Sequence, residues 1–232
     1  MLTLLLPATI AHAQRIALVV GIASYRHAPP LANPVRDAEL MAATLQSLGF
    51  TVTRLIDPDS NQLKRAMLEF GRDLRSGSSE AGLFYYAGHG VQAKGENYLI
   101  PVDANIASED EIELEAINVN DFLGVMESSQ SDVNIIILDA CRDNPFAGST
   151  RGASRGLAPV DAPKGTYIAY ATSPGQVALD GSGANSPYTL ALADAMREPG
   201  LPIERVFKNA RAQVLESTGQ KQLPWETSSI TG

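Results

Sequence analysis

Cys141, the only cysteine of the chain, closes the run Val133-Asn134-Ile135-Ile136-Ile137-Leu138-Asp139-Ala140-Cys141. His89 closes a second run, Leu83-Phe84-Tyr85-Tyr86-Ala87-Gly88-His89. Both runs have the length and apolar density of buried strands, so a thiol and an imidazole are expected where two strands leave a sheet. In an open parallel sheet the carboxyl ends of the strands are where chemistry is placed. The thiolate is the reactive form of cysteine, and a nearby imidazole supplies or stabilises it. In such a pair Cys141 attacks a peptide carbonyl. His89 protonates the departing amine and then activates water to hydrolyse the acyl-enzyme. The alternatives are a thiol that is a small buried core residue and an imidazole that is a satisfied core histidine. Gly88-His89-Gly90 reads as a turn rather than a packed face.

The elements that must hold these two residues alternate along the chain. Arg15 to Gly21 reads as a compact apolar strand. Asn33 caps a helix that has Pro34 at its first position and carries Val35, Ala38, Met41, Leu45 and Leu48 at helical spacing. Gly49 supplies its stop. Phe50 to Ile56 alternates as a strand. Ser60 caps a second helix bearing Leu63, Met67, Phe70 and Leu74. Ala81 to Tyr86 is the next strand, and Asn97 to Pro101 a short extended piece. A third helix starts at Asn120 or Asp121, and the strand Val133 to Leu138 follows. A strand from Tyr167 to Thr172 and helices from Ser186-Pro187 and Leu201-Pro202 complete the pattern. Alternating strands and helices predict an α/β sandwich with a largely parallel sheet.

Length and charge narrow the function. The chain has 232 residues, 44% of them hydrophobic, enough for one well-buried domain. Its formal net charge of -8 argues against nucleic acid, which needs a basic face. Residues 1–13 are apolar and end in Ala11-His12-Ala13, a small-x-small site that reads as the remnant of a signal peptide. The expectation is therefore an exported protein, periplasmic or secreted. A short apolar element preceding the domain is the alternative. No later stretch has the ~20 apolar residues of a membrane span. In an oxidising compartment a lone cysteine closes no internal disulfide, which favours a thiol that is used.

The two strand-end motifs resemble those of the caspase superfamily, the clan of caspases, metacaspases and paracaspases. Tyr85-Tyr86-Ala87-Gly88-His89-Gly90 resembles the catalytic histidine motif, and Leu138-Asp139-Ala140-Cys141-Arg142 the catalytic cysteine motif. Three further stretches are similar to the paracaspase and bacterial metacaspase-like branch: Ala17 to Arg26, Asn97 to Ala104, and Tyr170 to Gly175. The resemblance runs from about Arg15 to Trp225. It implies a caspase-like three-layer sandwich, α/β, with a mostly parallel central sheet flanked by helices. It implies one peptidase domain over 14–232: a large-subunit-like part (14–142), a linker loop (143–165) and a small-subunit-like part (166–232). It also implies an oxyanion hole made of the backbone N–H groups of Gly90 and Cys141.

Specificity is implied as well. Caspases proper cut after Asp and use arginines in the pocket for the residue before the scissile bond. Paracaspases and metacaspases cut after Arg or Lys and use carboxylates. Asp139 lies two residues before Cys141, on the same side of an extended strand. Asp37 and Asp180 match two further pocket acids by resemblance. Several carboxylates can pair and hydrogen-bond one guanidinium, which favours Arg over Lys. Each acid also has an ordinary explanation: local backbone capping for Asp139, the first helical turn for Asp37, a glycine-rich turn for Asp180.

The activity expected is thus a cysteine endopeptidase acting on peptides or proteins with a basic residue before the cleaved bond. The alternative is a catalytically silent caspase-fold binding or scaffold module. Arg151 and Arg155 in the linker are either autocleavage sites or incidental charges. A homodimer through the late segment containing Trp225 is one possibility, and internal packing of that tryptophan the other. No cofactor is required and no metal-ligand set is present; calcium dependence is left open. Asp57 to Asn61 begins like a calcium loop but has Gln62 at the sixth position and Leu68 at the twelfth.

Overall fold

The computed structural model describes residues 14–77, 79–129, 131–140, 157–181 and 183–231. The expected leader at 1–13, Cys141, Arg142, and linker residues 143–156 with Arg151 and Arg155 lie outside the described residues.

Six strands form the main sheet in the order β2-β1-β3-β7-β8-β9. They are β1 (Gln14–Gly21), β2 (Thr51–Ile56), β3 (Ser79–Ala87), β7 (Val133–Asp139), β8 (Thr166–Tyr170) and β9 (Trp225–Ser228). All neighbours are parallel except β8 and β9, which are antiparallel. The inner strands read as unbroken apolar runs because both faces of a parallel sheet are covered. Leu18, Val19, Val20, Phe84, Tyr85, Tyr86, Ile136, Ile137 and Leu138 are all fully buried.

Two sets of helices do the covering. Helices α1 (Pro34–Ser47), α5 (Pro187–Met196) and α6 (Ile203–Ser217) form one layer, where α5 touches both others. Helices α2 (Ser60–Arg75) and α4 (Val119–Glu127) touch each other and form the second. A stacked pair, Phe84 and Phe122, with ring centroids 3.9 Å apart, joins β3 to α4. The chain steps from β1 to β2 in one direction and from β2 back past β1 to β3 in the other. Right-handed crossovers then place α1 and α2 on opposite faces. The carboxyl ends of β1 and β3 flank the resulting switch point, where such sheets bind ligands.

The architecture is the three-layer α/β sandwich expected, with local differences. Strands β4 (Gly90–Ala93), β5 (Glu96–Leu99) and β6 (Ile117–Asn118) form a small antiparallel sheet. A 3-10 turn (Glu109–Glu111) and the short α3 (Ile112–Glu115) precede β6. Helix α2 is capped by Asp59 rather than Ser60. The Asp59 carboxylate accepts from the Gln62 N–H, and the Gln62 side chain accepts from the Asp59 N–H, a reciprocal capping box. Helix α4 is capped by Asn118 and starts at Val119. Trp225 lies on the edge strand β9 and is 42% exposed. Among the described residues no helix is long and apolar enough to cross a membrane.

Candidate active site

His89 is the second residue after β3, and its side chain is buried, 4% exposed. The ring Nε2 lies 2.9 Å from the Pro29 carbonyl oxygen. A carbonyl only accepts, so Nε2 carries the proton and Nδ1 holds the lone pair. This hydrogen bond fixes both the tautomer and the plane of the ring. The backbone is fixed too: the His89 N–H donates to the Tyr25 hydroxyl at 2.7 Å, and the Tyr86 hydroxyl donates to the His89 carbonyl at 2.8 Å. The Tyr25 ring packs on the imidazole with centroids 4.6 Å apart. Glycine at position 88 makes room for this arrangement. A Cβ there would stand 2.6 Å from the Tyr25 hydroxyl and 2.7 Å from that of Tyr86, both closer than contact allows.

Tyr25 and Pro29 belong to the loop after β1, so that loop must hold still. Asp57, at the end of β2, holds it. One oxygen of its carboxylate accepts from the N–H groups of Ala23 at 2.6 Å and Ser24 at 3.0 Å. The Asp57 N–H donates to Gly21, and the Leu31 N–H to Ala23, which closes the loop. Burial pushes the Asp57 carboxyl up, but hydrogen bonds from Ala23 and Ser24 outweigh it and leave the pKa below its usual value. A lowered folded pKa gives stability that is complete above the unfolded value and disappears as pH falls through the folded one. Asp57→Ala is expected to cost about 1 kcal/mol near neutral pH, discounted for its partial exposure. Denaturant titrations of both proteins should show that difference shrinking below the ordinary carboxylate range, near about pH 4. A difference independent of pH would contradict the assignment.

The two strand ends meet directly. Ala87 and Asp139 are register partners, and the Gly88 N–H donates to the Asp139 carbonyl at 3.3 Å. A Cβ on Gly90 would stand 2.9 Å from the Ala140 carbonyl oxygen and 3.2 Å from the Leu157 side chain. The residue bonded to Cys141 is therefore packed against the residue bonded to His89. Leu157, the first described residue of the linker, is buried there. Ala158 beside it is held by a reciprocal pair of hydrogen bonds with the Asn97 side chain, at 2.7 and 2.8 Å.

Two of the three expected acids, Asp37 and Asp139, share a hydrogen-bond partner. Asp37 and Asp139 are both fully buried. Ser186 links them: its N–H donates to Asp37 Oδ1 at 2.9 Å and its hydroxyl to Asp139 Oδ2 at 2.5 Å. Asn185 donates to the same Asp37 oxygen at 2.9 Å. Thr189 donates to Asp139 Oδ2 at 2.9 Å. Asp139 Oδ1 is buried and has no hydrogen-bond partner among the described residues. Asp180 is half-buried, and its carbonyl accepts from the Asn33 side chain, which ties its loop to the start of α1. Arg36 reinforces the tie by donating to the Ala184 carbonyl and to Asn33 Oδ1.

This corrects one reading. Asn33 stands at the N-cap position of α1 but makes no capping hydrogen bond: its side-chain oxygen accepts from Arg36 and its amide donates to the Asp180 carbonyl. Ser186 does cap α5 as expected, accepting from the Thr189 N–H at 3.1 Å. Its contacts with Asp37 and Asp139 span 149 and 47 residues of sequence, so no local pattern could have revealed them. The roles of Tyr25, Pro29, Asp57 and Thr189 likewise left no local signal in the sequence. His27 is an exposed loop residue. Among the described residues no group of three His, Cys, Asp or Glu side chains is placed to hold a metal ion.

Comparison with known proteins agrees with the architecture. A family model described as the caspase domain matches residues 14–232. The chain is similar to mucosa-associated lymphoid tissue lymphoma translocation protein 1 of Homo sapiens, 33% identical over 128 residues, which is 55% of this chain and 15% of that protein. The homolog of that protein in Mus musculus matches over the same extent at 33% identity. The similarity thus spans about one seventh of the length of these relatives.

Proposed function

The chain belongs to the caspase domain family, and from that premise we propose that it is a cysteine endopeptidase cleaving after arginine or lysine. Cys141 is the nucleophile and His89 its partner. The observation that carries this reading is the fixed imidazole: with Nε2 donating to Pro29, Nδ1 holds the lone pair that takes and returns a proton.

In the proposed reaction the Cys141 sulfur attacks the carbonyl carbon and the oxyanion is met by the N–H groups of Gly90 and Cys141. The imidazolium gives its proton to the departing amine. A water then loses a proton to the neutral imidazole, attacks the thioester, and releases the acid and the thiol. Asp37, Asp139 and Asp180 form the pocket for the basic side chain. Two fully buried carboxylates sharing one serine need a cationic ligand far more than an acidic one.

Labelling tests this. An arginine-based acyloxymethyl ketone should add once, at Cys141, with intact mass and peptide mapping as readout. The matched aspartate reagent should react at least about tenfold more slowly, as expected where a buried charge pair is missing. No adduct with either reagent would favour a silent binding module.

A further inference from the structure

Ser186, Thr189 and Tyr85 do more than fill space around Asp139. Asp139 Oδ2 accepts two hydroxyl protons, from Ser186 at 2.5 Å and from Thr189 at 2.9 Å. A threonine hydroxyl has one hydrogen to give. Having given it to Asp139, Thr189 must accept from Tyr85, whose hydroxyl lies 2.5 Å away. The direction is therefore fixed: Tyr85 donates to Thr189, and Thr189 donates to Asp139. Tyr85 is fully buried, and burial, followed by the charges of Asp139 and Asp37, holds its phenol well above its ordinary pKa. It remains a donor at any pH used for peptidase assay. Ser186 is fixed in the same way, since its oxygen accepts the Thr189 N–H as the cap of α5.

These bonds converge on one oxygen and leave the other, Oδ1, buried with no partner among the described residues. Two donors on one carboxylate oxygen stop rotation about the Cβ–Cγ bond. The carboxylate plane is set before any substrate arrives, and one acceptor is presented in a fixed direction. Plane matters to a guanidinium, whose donors form a rigid fork, and matters little to an ammonium, which is a rotatable point charge.

We propose that Thr189, backed by Tyr85 and paired with Ser186, orients the Asp139 carboxylate and thereby sets the preference for arginine over lysine. These are positioning residues, acting through Asp139. The inference rests on the reading of Asp139 as part of the basic-residue pocket.

The test is steady-state kinetics on matched Arg and Lys fluorogenic peptides with the wild type, Thr189→Val, Thr189→Ser and Tyr85→Phe. Valine keeps the shape of threonine and removes the hydroxyl. For Thr189→Val, kcat/KM on the Arg peptide should fall about tenfold, mainly through KM, as for loss of a hydrogen bond to a charged group. The Lys peptide should lose no more than about threefold, since an ammonium is less directional. Thr189→Ser should restore the Arg:Lys ratio to within about twofold, because the donor is back. Tyr85→Phe should lower the ratio about threefold, as a neutral hydrogen bond one step removed. Should Thr189→Val not fold, as judged by circular dichroism, Tyr85→Phe decides. An unchanged Arg:Lys ratio in the folded variants overturns the proposal and leaves the pocket reading standing. A wild type that cleaves after neither Arg nor Lys overturns both.

Discussion

Replacing His89 by alanine is expected to lower kcat/KM on the order of 10⁴-fold, the scale seen when one member of a nucleophile–base pair is removed. The loss arises twice. Without the imidazole, Cys141 reverts to an ordinary thiol with a few per cent thiolate at neutral pH, and no group remains to protonate the leaving amine. The first effect can be read separately. Alkylation of Cys141 by iodoacetamide should also slow in the variant, and its rate should rise with pH toward that of a free cysteine, whose pKa is about 8.5. A structural histidine predicts something different. Its removal would lower the melting temperature through the vacated space beside Tyr25 and leave the alkylation rate alone. A folded His89→Ala protein retaining more than about one tenth of wild-type activity would be incompatible with general acid–base catalysis by this residue.

Asp139→Asn is expected to reduce kcat/KM on arginine peptides by about 10²- to 10³-fold, from truncating one partner of a buried, hydrogen-bonded charge pair at about 3–4 kcal/mol. Asparagine is the informative replacement. Its amide oxygen can still accept from Ser186 and Thr189, so the cap of α5 and the packing against α1 are retained. Only the charge is removed. The loss should fall on arginine and lysine peptides alike, because both cations need the charge and only arginine also needs the plane. This contrast separates the role of Asp139 from that of Thr189. Undiminished cleavage after arginine in Asp139→Asn would remove Asp139 from the pocket.

The parts of the molecule that the sequence foretold are those set by local chemistry. Ile135 to Leu138 and Leu83 to Tyr86 announce buried strands because a covered parallel sheet tolerates no polar face. The cap at Ser186 and the proline after it announce α5 in the same way. Legibility ends where partners come from elsewhere in the chain. The side chain of Asn33 is indistinguishable from a helix cap until Arg36 is seen to take its oxygen and Asp180 its amide. Strands β4, β5 and β6 have four, four and two residues, too few to show a period. Tyr85 looks like any other core aromatic of β3, and only the geometry turns its hydroxyl toward Thr189. The candidate acids were singled out because the family resemblance pointed to them, and the hydroxyls that hold Asp139 were not.

The most direct measurement is hydrolysis of matched fluorogenic peptides ending in Arg, Lys or Asp by the wild-type protein, beside Cys141→Ala. The wild type should cleave after Arg, more weakly after Lys and not after Asp, and the variant should cleave none of them. Cleavage after Asp, or turnover that persists in Cys141→Ala, would contradict the proposed activity.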